Sequence, residues 1–287
     1  MTEMISAFLP LAMMVLMLSL GLRLDPGEAR RALRSPRALF VGLGVQLIGL
    51  PFMAFAVSRG LGLAPALSAG LMLVAASPGG VTSNYAALLA RGSVGLSVAM
   101  TLVTSLAAPL TLPLVLLAAS VTVPGAAGLW KISLAMSAVA LGPILAGVVA
   151  ARVAPGIAAR ISRRLDPVAR FLFLGIVLAT FWQNWGSMGQ AFSAVGGAVT
   201  LFALLTPALA FAAGRAARLA AAERRTVMVE ATMQNVAITI FVASVLMGEA
   251  GLAIPGLIYA VEMNLVALLL IGGAHLAARR RAAGQAA

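Results

Sequence analysis

Residues 77–84 of the chain, SPGGVTSN, interrupt a long apolar run with a proline, two glycines and then three polar side chains. Pro78 lacks an amide hydrogen and clashes with the preceding helical turn, whereas Gly79 and Gly80 permit backbone angles that are closed to other residues. The segment therefore predicts an apolar helix that unwinds near its middle. Unwinding frees backbone amide and carbonyl groups, which need a ligand or a protein partner in hydrocarbon.

A second polar segment lies far downstream at residues 229–235, VEATMQN. Here a carboxylate, Glu230, stands inside another apolar run and is followed by Gln234 and Asn235. Ionisable groups are costly in hydrocarbon, so a carboxylate kept there indicates an ion or substrate pathway. No glycine or proline marks this segment, which allows either a broken helix or a straight helix with a polar stripe. Two broken helices would predict one site between them.

The composition defines the class of protein. Of 287 residues, 62% are hydrophobic and 10% are charged, and the mean hydropathy is +1.05. These values lie outside the range of soluble domains and predict an all-α polytopic membrane protein. The chain has no cysteine, so it offers no disulfide framework, thiol nucleophile or cysteine-bound metal. His275 stands alone beside a run of arginines, and we expect it at the membrane interface rather than in a metal or catalytic site.

Apolar stretches of adequate length predict nine membrane spans. They are residues 4–22, 38–58, 64–89, 94–119, 132–151, 171–185, 191–213, 227–247 and 253–274, of which the sixth is the shortest. The first stretch follows only three residues, with no basic start and no small-residue cleavage site. We therefore expect it to be a span rather than a signal peptide.

Basic residues predict the orientation of these spans. With the N-terminus outside, the inner segments 23–37, 91, 152–170, 215–225 and 279–281 carry 18 of the 20 lysines and arginines. Positive residues concentrate on the cytoplasmic side, so we predict an outer N-terminus and a cytoplasmic C-terminus in a bacterial inner membrane. We attribute the net charge of +12 to basic residues that set the membrane topology and contact lipid headgroups. We expect no nucleic acid as partner.

The two polar segments occupy corresponding spans of opposite direction. The third span would run from outside to inside and the eighth from inside to outside, which predicts an inverted repeat. Spans five to nine would form a five-helix unit, and spans one to four would form the same unit without its first helix.

Two hydroxyl side chains, Ser97 and Thr101, are four residues apart on the fourth span and share one helix face. Together with Ser83, Asn84 and Glu230 they would form an all-oxygen shell suited to a hard cation. The two hydroxyls would otherwise bond back to carbonyls of their own helix, as is frequent in membranes. The residues alone leave both interpretations open.

The segments 78–84, 96–101 and 230–235 together resemble the bile acid:sodium symporter family and its bacterial homologues. The resemblance extends over nearly the whole chain, and the motifs occur in the same order and at similar spacing. It implies a fold of two crossed broken helices in a core domain, packed against a panel domain. It also implies two sodium ions that bind behind the crossing.

In the numbering of this chain, the resemblance divides the fold into two parts. The core domain would comprise residues 38–119 and 191–274, and the panel domain would comprise residues 4–22 and 132–185.

The first implied sodium site uses only side chains. Its ligands would be Ser83, Asn84, Ser97, Thr101 and Glu230.

The second implied sodium site combines side chains with backbone carbonyls. Gln46 and Glu230 would supply the side chains, and Ala231, Met233 and Gln234 would supply the carbonyls. From the residues alone, Gln46 is an amide in mid-span that an interhelical hydrogen bond would equally explain. The pair Ala231 and Thr232 also stands where valine and glycine are frequent in the family, a departure at the expected break.

The resemblance places the substrate at the crossing. Asn235 and the backbone near Val81 and Thr82 would face it, and the ninth span adds Asn264 and Glu262 as candidates. Val81 stands where a threonine is common, and Glu262 stands where some members have tryptophan. Glu262 would tune the substrate pocket, pair with a polar neighbour or extend to the interface.

The resulting hypothesis is a sodium-coupled symporter of a small organic anion, such as a bile acid, a pantoate-like acid or a keto acid. Sodium would neutralise Glu230 and order the unwound segments, and spans two to four and seven to nine would then move against spans one, five and six. The alternative is a sodium-independent facilitator or channel, but the polar residues form no ring-like motif. No Ser-His, paired-aspartate or HExxH arrangement predicts an enzyme.

Overall fold

Helices make up nearly all of the described chain, which comprises residues 2–23, 27, 36–80, 82–118 and 128–286 of a computed structural model. The α-helices are α1 (Thr2–Arg23), α2 (Pro36–Gly44), α3 (Leu50–Gly60), α4 (Pro65–Ala76), α5 (Ser83–Leu89), α6 (Val94–Ala118), α7 (Gly128–Met136), α8 (Gly142–Val153), α9 (Pro155–Ala191), α10 (Gly197–Ala216), α11 (Ala221–Thr232), α12 (Val236–Phe241) and α13 (Ile254–Ala286). No strand occurs within these described ranges. The predicted all-α class is confirmed.

Wider helical turns join several of these helices without a break. Single π-helical turns, Val45–Gly49, Ser137–Leu141 and Phe192–Gly196, connect α2 to α3, α7 to α8 and α9 to α10. A fourth, Val242–Leu246, extends α12, and the short 3₁₀ turn Ala250–Ala253 leads into α13. Such π turns are uncommon and concentrate at functional sites.

Five helices of the described chain are long and apolar enough to cross a membrane. They are Pro36–Gly60, Val94–Ala118, Trp130–Val153, Phe192–Ala216 and Gly251–Arg279. These correspond to the predicted second, fourth, fifth, seventh and ninth spans. The count of nine spans, the inverted repeat and the division into core and panel domains stay predictions.

The structure differs from the predicted spans around the sixth. The expected inner loop at 152–170 is reduced to Ala154: Arg152 lies in the last turn of α8, and the other basic residues of this stretch lie on α9. The turn expected between residues 185 and 191 is also absent, because helical backbone continues from α9 through the π turn into α10. This stretch holds Gly186 and Gly189 but no proline. A glycine costs a helix interior only about 1 kcal/mol, whereas a proline costs about 3.

Both polar segments break their helices. α4 ends at Ala76 and α5 begins at Ser83, as the proline and glycines predict. α11 ends at Thr232 and α12 begins at Val236, so the second segment is broken rather than a straight helix with a polar stripe. The side-chain oxygen of Asn235 accepts a hydrogen bond from the amide of Ile238 at 3.4 Å and caps α12.

The two unwound segments cross and pair with each other. Gly79 and Gln234 form an isolated antiparallel bridge. The amide of Gly80 donates to the carbonyl of Met233 at 2.7 Å, and the amide of Asn235 donates to the carbonyl of Pro78 at 2.9 Å. Each segment therefore satisfies backbone groups of the other, which hydrocarbon could not do.

Close helix packing places α1 against α8 and α9. A Cβ at Gly147 would lie 2.6 Å from the backbone nitrogen of Leu22, and a Cβ at Gly21 would overlap the carbonyl of Ile144. Small residues permit this approach of backbones, as is usual between membrane helices. The contact holds the end of α1 near the start of α9, opposite the crossing.

Candidate functional site

Glu230 is the centre of the site, at the end of α11 just before the break. Its side chain is fully buried. Ser97 Oγ donates to Glu230 Oε2 at 2.5 Å, and Thr101 Oγ1 donates to Glu230 Oε1. Both hydroxyls of the face predicted on α6 therefore point at the carboxylate and do not bond back to their own helix.

Ser83 completes the same cluster from the first residue of α5. Its hydroxyl donates to the carbonyl of Gly80 at 2.8 Å and lies 3.4 Å from Thr101 Oγ1. The neighbouring Asn84 has a buried side-chain oxygen with no hydrogen-bond partner in the described part of the protein. Four of the five residues predicted for the first cation site are thus in contact around one carboxylate, and the fifth carries a free oxygen.

Gly79 allows the carboxylate to approach the crossing. A Cβ built on this residue would overlap Glu230 Oε1 and would lie 3.2 Å from Thr101 Oγ1. Any side chain would therefore displace the carboxylate or its hydroxyl partner. Besides the conformational freedom expected at the break, the glycine supplies space for the site.

The residues predicted for the second cation site are only partly assembled. Gln46 lies in the π turn between α2 and α3, 1% exposed, and neither polar atom of its amide has a partner among the described residues. The carbonyl of Ala231 accepts from Gln234 Nε2 at 2.9 Å, and the carbonyl of Met233 accepts from Gly80. No described hydrogen bond joins Gln46 to Glu230. A buried amide without partners is costly, which makes Gln46 an available ligand.

A cavity of about 410 Å³ lies beside the crossing. The predicted substrate residues Thr82, Asn235 and Asn264 all line it. Asn264 donates to the carbonyl of Ala260 in its own helix at 2.6 Å, whereas the side-chain nitrogen of Asn235 is buried with no described partner. Val81, the remaining backbone candidate, lies outside the described residues.

The opposite wall of this cavity holds residues that the sequence analysis did not select. Ser19 and Arg23 contribute from α1, and Asp166 contributes from α9. Ser19 Oγ donates to Asp166 Oδ1 at 2.7 Å, and Arg23 Nη1 lies 3.4 Å from Asp166 Oδ2. An arginine and an aspartate beside apolar helices were visible in the sequence, but both lay among basic residues attributed to topology.

Glu262 lies outside the cavity that contains Asn235. Its Oε1 accepts a hydrogen bond from Thr200 Oγ1 of α10 at 2.6 Å, so it pairs with a polar neighbour. It lines a second, mostly apolar cavity with Trp185 and Phe192. Asn264, two residues further along α13, lines the cavity at the crossing instead, because successive helical positions are about 100° apart.

Tyr259 is a further residue that the sequence analysis missed. Its buried hydroxyl donates to the carbonyl of Thr232 at 2.8 Å and so holds the last turn of α11. Its ring packs at 53° on Phe202, with centroids 5.6 Å apart. A tyrosine within an apolar span was the available signal. By contrast, His275 Nδ1 contacts the carbonyl of Ile271 in its own helix at 2.9 Å, away from the site.

Comparison with known proteins gives consistent results. The family model described as "Sodium Bile acid symporter family" matches residues 10–191. The chain is 32% identical over 270 residues to "Probable sodium/metabolite cotransporter BASS2, chloroplastic" of Oryza sativa subsp. japonica, an alignment covering 91% of this chain and 61% of that protein.

Two further relatives extend this comparison. The chain is 31% identical over 264 residues to "Probable sodium/metabolite cotransporter BASS1, chloroplastic" of Arabidopsis thaliana, covering 90% of this chain and 64% of that protein. It is 27% identical over 267 residues to "Uncharacterized sodium-dependent transporter YocS" of Bacillus subtilis (strain 168), covering 93% and 82%. The chain therefore spans less than two thirds of the two plant relatives and most of the bacterial one.

Proposed function

The chain belongs to the sodium bile acid symporter family, whose model matches residues 10–191, and from this premise we propose that it is a sodium-coupled symporter of a small organic anion. The family consists of transporters rather than enzymes. The observation that carries the proposal is Glu230, a buried carboxylate whose described hydrogen bonds come from the hydroxyls of Ser97 and Thr101, at the crossing of two broken helices.

Sodium is the cation that this cluster suits. Hydroxyl, amide and carboxylate oxygens are the ligands of hard cations. Ser83, Ser97 and Thr101 offer hydroxyl oxygens, and Glu230 supplies the negative charge that offsets bringing a cation into a low-dielectric interior. Asn84, with its unpartnered oxygen, would complete the set.

A second sodium ion would bind on the far side of Glu230. Gln46 and the carbonyls of Ala231, Met233 and Gln234 are the proposed ligands. The unpartnered amide of Gln46 supports this assignment. All three carbonyls already accept hydrogen bonds, from Gln234 Nε2, Gly80 and Val236, so binding there would reorganise the unwound backbone. Such reorganisation would couple the ion to the substrate site.

The substrate would occupy the cavity of about 410 Å³. This volume lies in the range of small-molecule sites. Gly80, Asn235 and Thr82 form its wall at the crossing, so a cation that orders the unwound segments would also order this wall. Pantoate-like acids, keto acids and bile acids are the candidate classes of anion.

Alternating access would follow from movement between the two sides of this cavity. One side is the crossing, which belongs to the proposed core domain, and the other is formed by α1 and α9 of the proposed panel domain. A rigid movement of core against panel would open the cavity to one face of the membrane and then to the other. In the proposed topology the N-terminus is outside and the C-terminus is cytoplasmic, in a bacterial inner membrane.

A sodium-independent facilitator is the alternative function. A facilitator would need no buried carboxylate beside the substrate cavity, since an uncompensated charge there is costly. The Glu230 cluster therefore favours the symporter, and uptake measurements distinguish the two.

The decisive experiment compares wild type, Glu230→Gln and Glu249→Gln in proteoliposomes. Glutamine keeps the size of the side chain and one carbonyl oxygen but removes the charge. Glu249 is an exposed carboxylate just before the 3₁₀ turn and serves as the matched control. We expect an inward sodium gradient to drive accumulation of an organic anion in wild type and Glu249→Gln, and not in Glu230→Gln. Gradient-driven accumulation by Glu230→Gln would refute the proposed coupling.

A further inference from the structure

The cavity wall opposite the crossing carries an ion pair that the proposed transport cycle does not yet use. Ser19 and Arg23 are one helical turn apart on α1 and face Asp166 of α9. Arg23 is the only basic residue and Asp166 the only acidic residue among the described residues that line this cavity. Among the described lining residues, Arg23 thus carries the one formal positive charge, and Asp166 neutralises it.

Asp166 has two described polar contacts, whereas Arg23 has one. Asp166 accepts a hydrogen bond of 2.7 Å from Ser19 and has Arg23 Nη1 at 3.4 Å from its other oxygen. For Arg23, this single long contact is the one described ion pair, and 41% of its side chain is exposed, against 18% for Asp166. A guanidinium has five N–H donors in a planar fork that matches a carboxylate. Most of the binding capacity of Arg23 is therefore unused by Asp166.

We propose that Arg23 is an anion-binding residue of the cavity, and that a carboxylate group of the transported molecule takes the place of Asp166 on its guanidinium. This inference rests on the proposed function and adds to it the group that recognises the anionic end of the substrate. An anion in a low-dielectric cavity needs a partner of opposite charge. Arg23 supplies that charge without contributing to the Glu230 cluster.

Asp166 keeps a hydrogen-bond partner when Arg23 exchanges its own. When Arg23 turns to the substrate, Asp166 keeps the hydrogen bond from Ser19, so its carboxylate does not become an orphan. When the cavity is empty, Asp166 again neutralises Arg23. Asp166 thereby competes with the substrate, and the affinity for the anion is set by the difference between two pairings of one arginine.

The experiment measures sodium-dependent binding of pantoate and of its uncharged amide, pantoamide, to purified protein, with cholate as a second carboxylate probe. Arg23→Gln is expected to weaken pantoate binding at least about tenfold, as for lost charge-assisted hydrogen bonds, and to leave pantoamide unchanged. Asp166→Asn is expected to strengthen pantoate binding about two- to fivefold, the range of a partly exposed ion pair. A gain in affinity cannot arise from misfolding.

Two controls make the result specific. Arg160→Gln removes an exposed arginine of α9 that does not line the cavity, and it should bind pantoate as wild type does. In the double variant Arg23→Gln with Asp166→Asn, the benefit of Asp166→Asn should disappear, because the competition acts only through Arg23. Equal loss in Arg160→Gln, or an Asp166→Asn benefit that persists without Arg23, would overturn the inference.

The same measurements separate this inference from the proposed function. If wild type binds pantoate or cholate only with sodium, but Arg23→Gln binds them equally well, then the proposed sodium coupling stands and the role of Arg23 is refuted. If wild type shows no sodium-dependent binding of either probe, the proposed function itself fails, and the role of Arg23 fails with it.

Discussion

Replacing Ser97 with alanine tests the cation site most directly. Ser97 Oγ lies 2.5 Å from Glu230 Oε2, buried and away from the substrate cavity. The substitution removes one of the two hydroxyls that bind the carboxylate and leaves the apolar packing of α6 nearly intact. In the proposed mechanism the same oxygen is a sodium ligand, so both the sodium-free and the sodium-bound protein are affected.

The size of the effect follows from this contact. A hydrogen bond to a charged group contributes about 1.5–3 kcal/mol, so the sodium-free protein should unfold at a lower temperature. Loss of one oxygen ligand from the cation should cost at least about 1.4 kcal/mol, which raises the Kd for sodium at least about tenfold. A ligand that binds only the folded state stabilises it by RT ln(1 + [L]/Kd), so the unfolding temperature reports this shift.

Ser105→Ala is the matched control for Ser97→Ala. Ser105 lies on the same helix, α6, is 1% exposed, and its hydroxyl has no hydrogen-bond partner among the described residues. Removing a buried, unpartnered hydroxyl should be neutral or slightly stabilising. The same chemical change should therefore leave the sodium dependence unaltered.

The assay is thermal unfolding in detergent, with sodium chloride titrated against choline chloride at constant ionic strength. The three tryptophans provide the signal, because thiol-reactive dyes cannot label a chain without cysteine. Potassium chloride tests selectivity in parallel and should not stabilise the protein. If the unfolding temperature of Ser97→Ala depends on sodium concentration as that of Ser105→Ala and wild type does, the hydroxyl cluster is not a sodium site and the reasoning from its geometry is wrong.

Two further predictions concern the crossing and the orientation. Gly79→Ala should abolish stabilisation by sodium, because its Cβ would overlap Glu230 Oε1. Gly44→Ala should leave it intact, because the added Cβ would enter open space. Sodium titration of both variants is the measurement, and wild-type sodium dependence of Gly79→Ala would contradict the proposed site. Single cysteines placed at residues 28–35 or after residue 279 of this cysteine-free chain should react with an impermeant reagent only after permeabilisation, whereas one at Leu61 should react in intact cells. Direct labelling at 28–35 would reverse the proposed orientation.

The break in the first polar segment and the shared helix face of Ser97 and Thr101 were predictable because their causes are local. Proline and glycine act on the backbone of their own helix, so residues 77–84 identify the interruption without any partner. The spacing of Ser97 and Thr101 likewise places both on one face of α6 from sequence alone. Whether the two hydroxyls bond to Glu230 or to carbonyls of their own helix depends on where α11 packs, which their spacing does not specify.

The second break could not be derived from the sequence, because its cause is not local. Residues 233–235 contain no helix breaker; the carbonyl of Met233 and the amide of Asn235 are satisfied by Gly80 and Pro78 across the crossing. The resemblance to a family implied this break, whereas the residues alone allowed a straight helix. Similarly, the continuous backbone from α9 into α10 shows that two glycines do not suffice to predict a turn.

By itself, the sequence determined that this is an all-helical membrane protein, where the first of its two broken helices is interrupted, and which oxygen-bearing side chains have the chemistry of ligands for a hard cation. Those properties depend on composition and on interactions within one helix. Only the tertiary structure decided that Ser83, Ser97 and Thr101 converge on Glu230, that Glu262 turns away to Thr200, and that an ion pair faces the crossing across the cavity. These pairings join residues more than a hundred positions apart, or on separate helices, and depend on how the helices pack, which no local pattern of residues encodes.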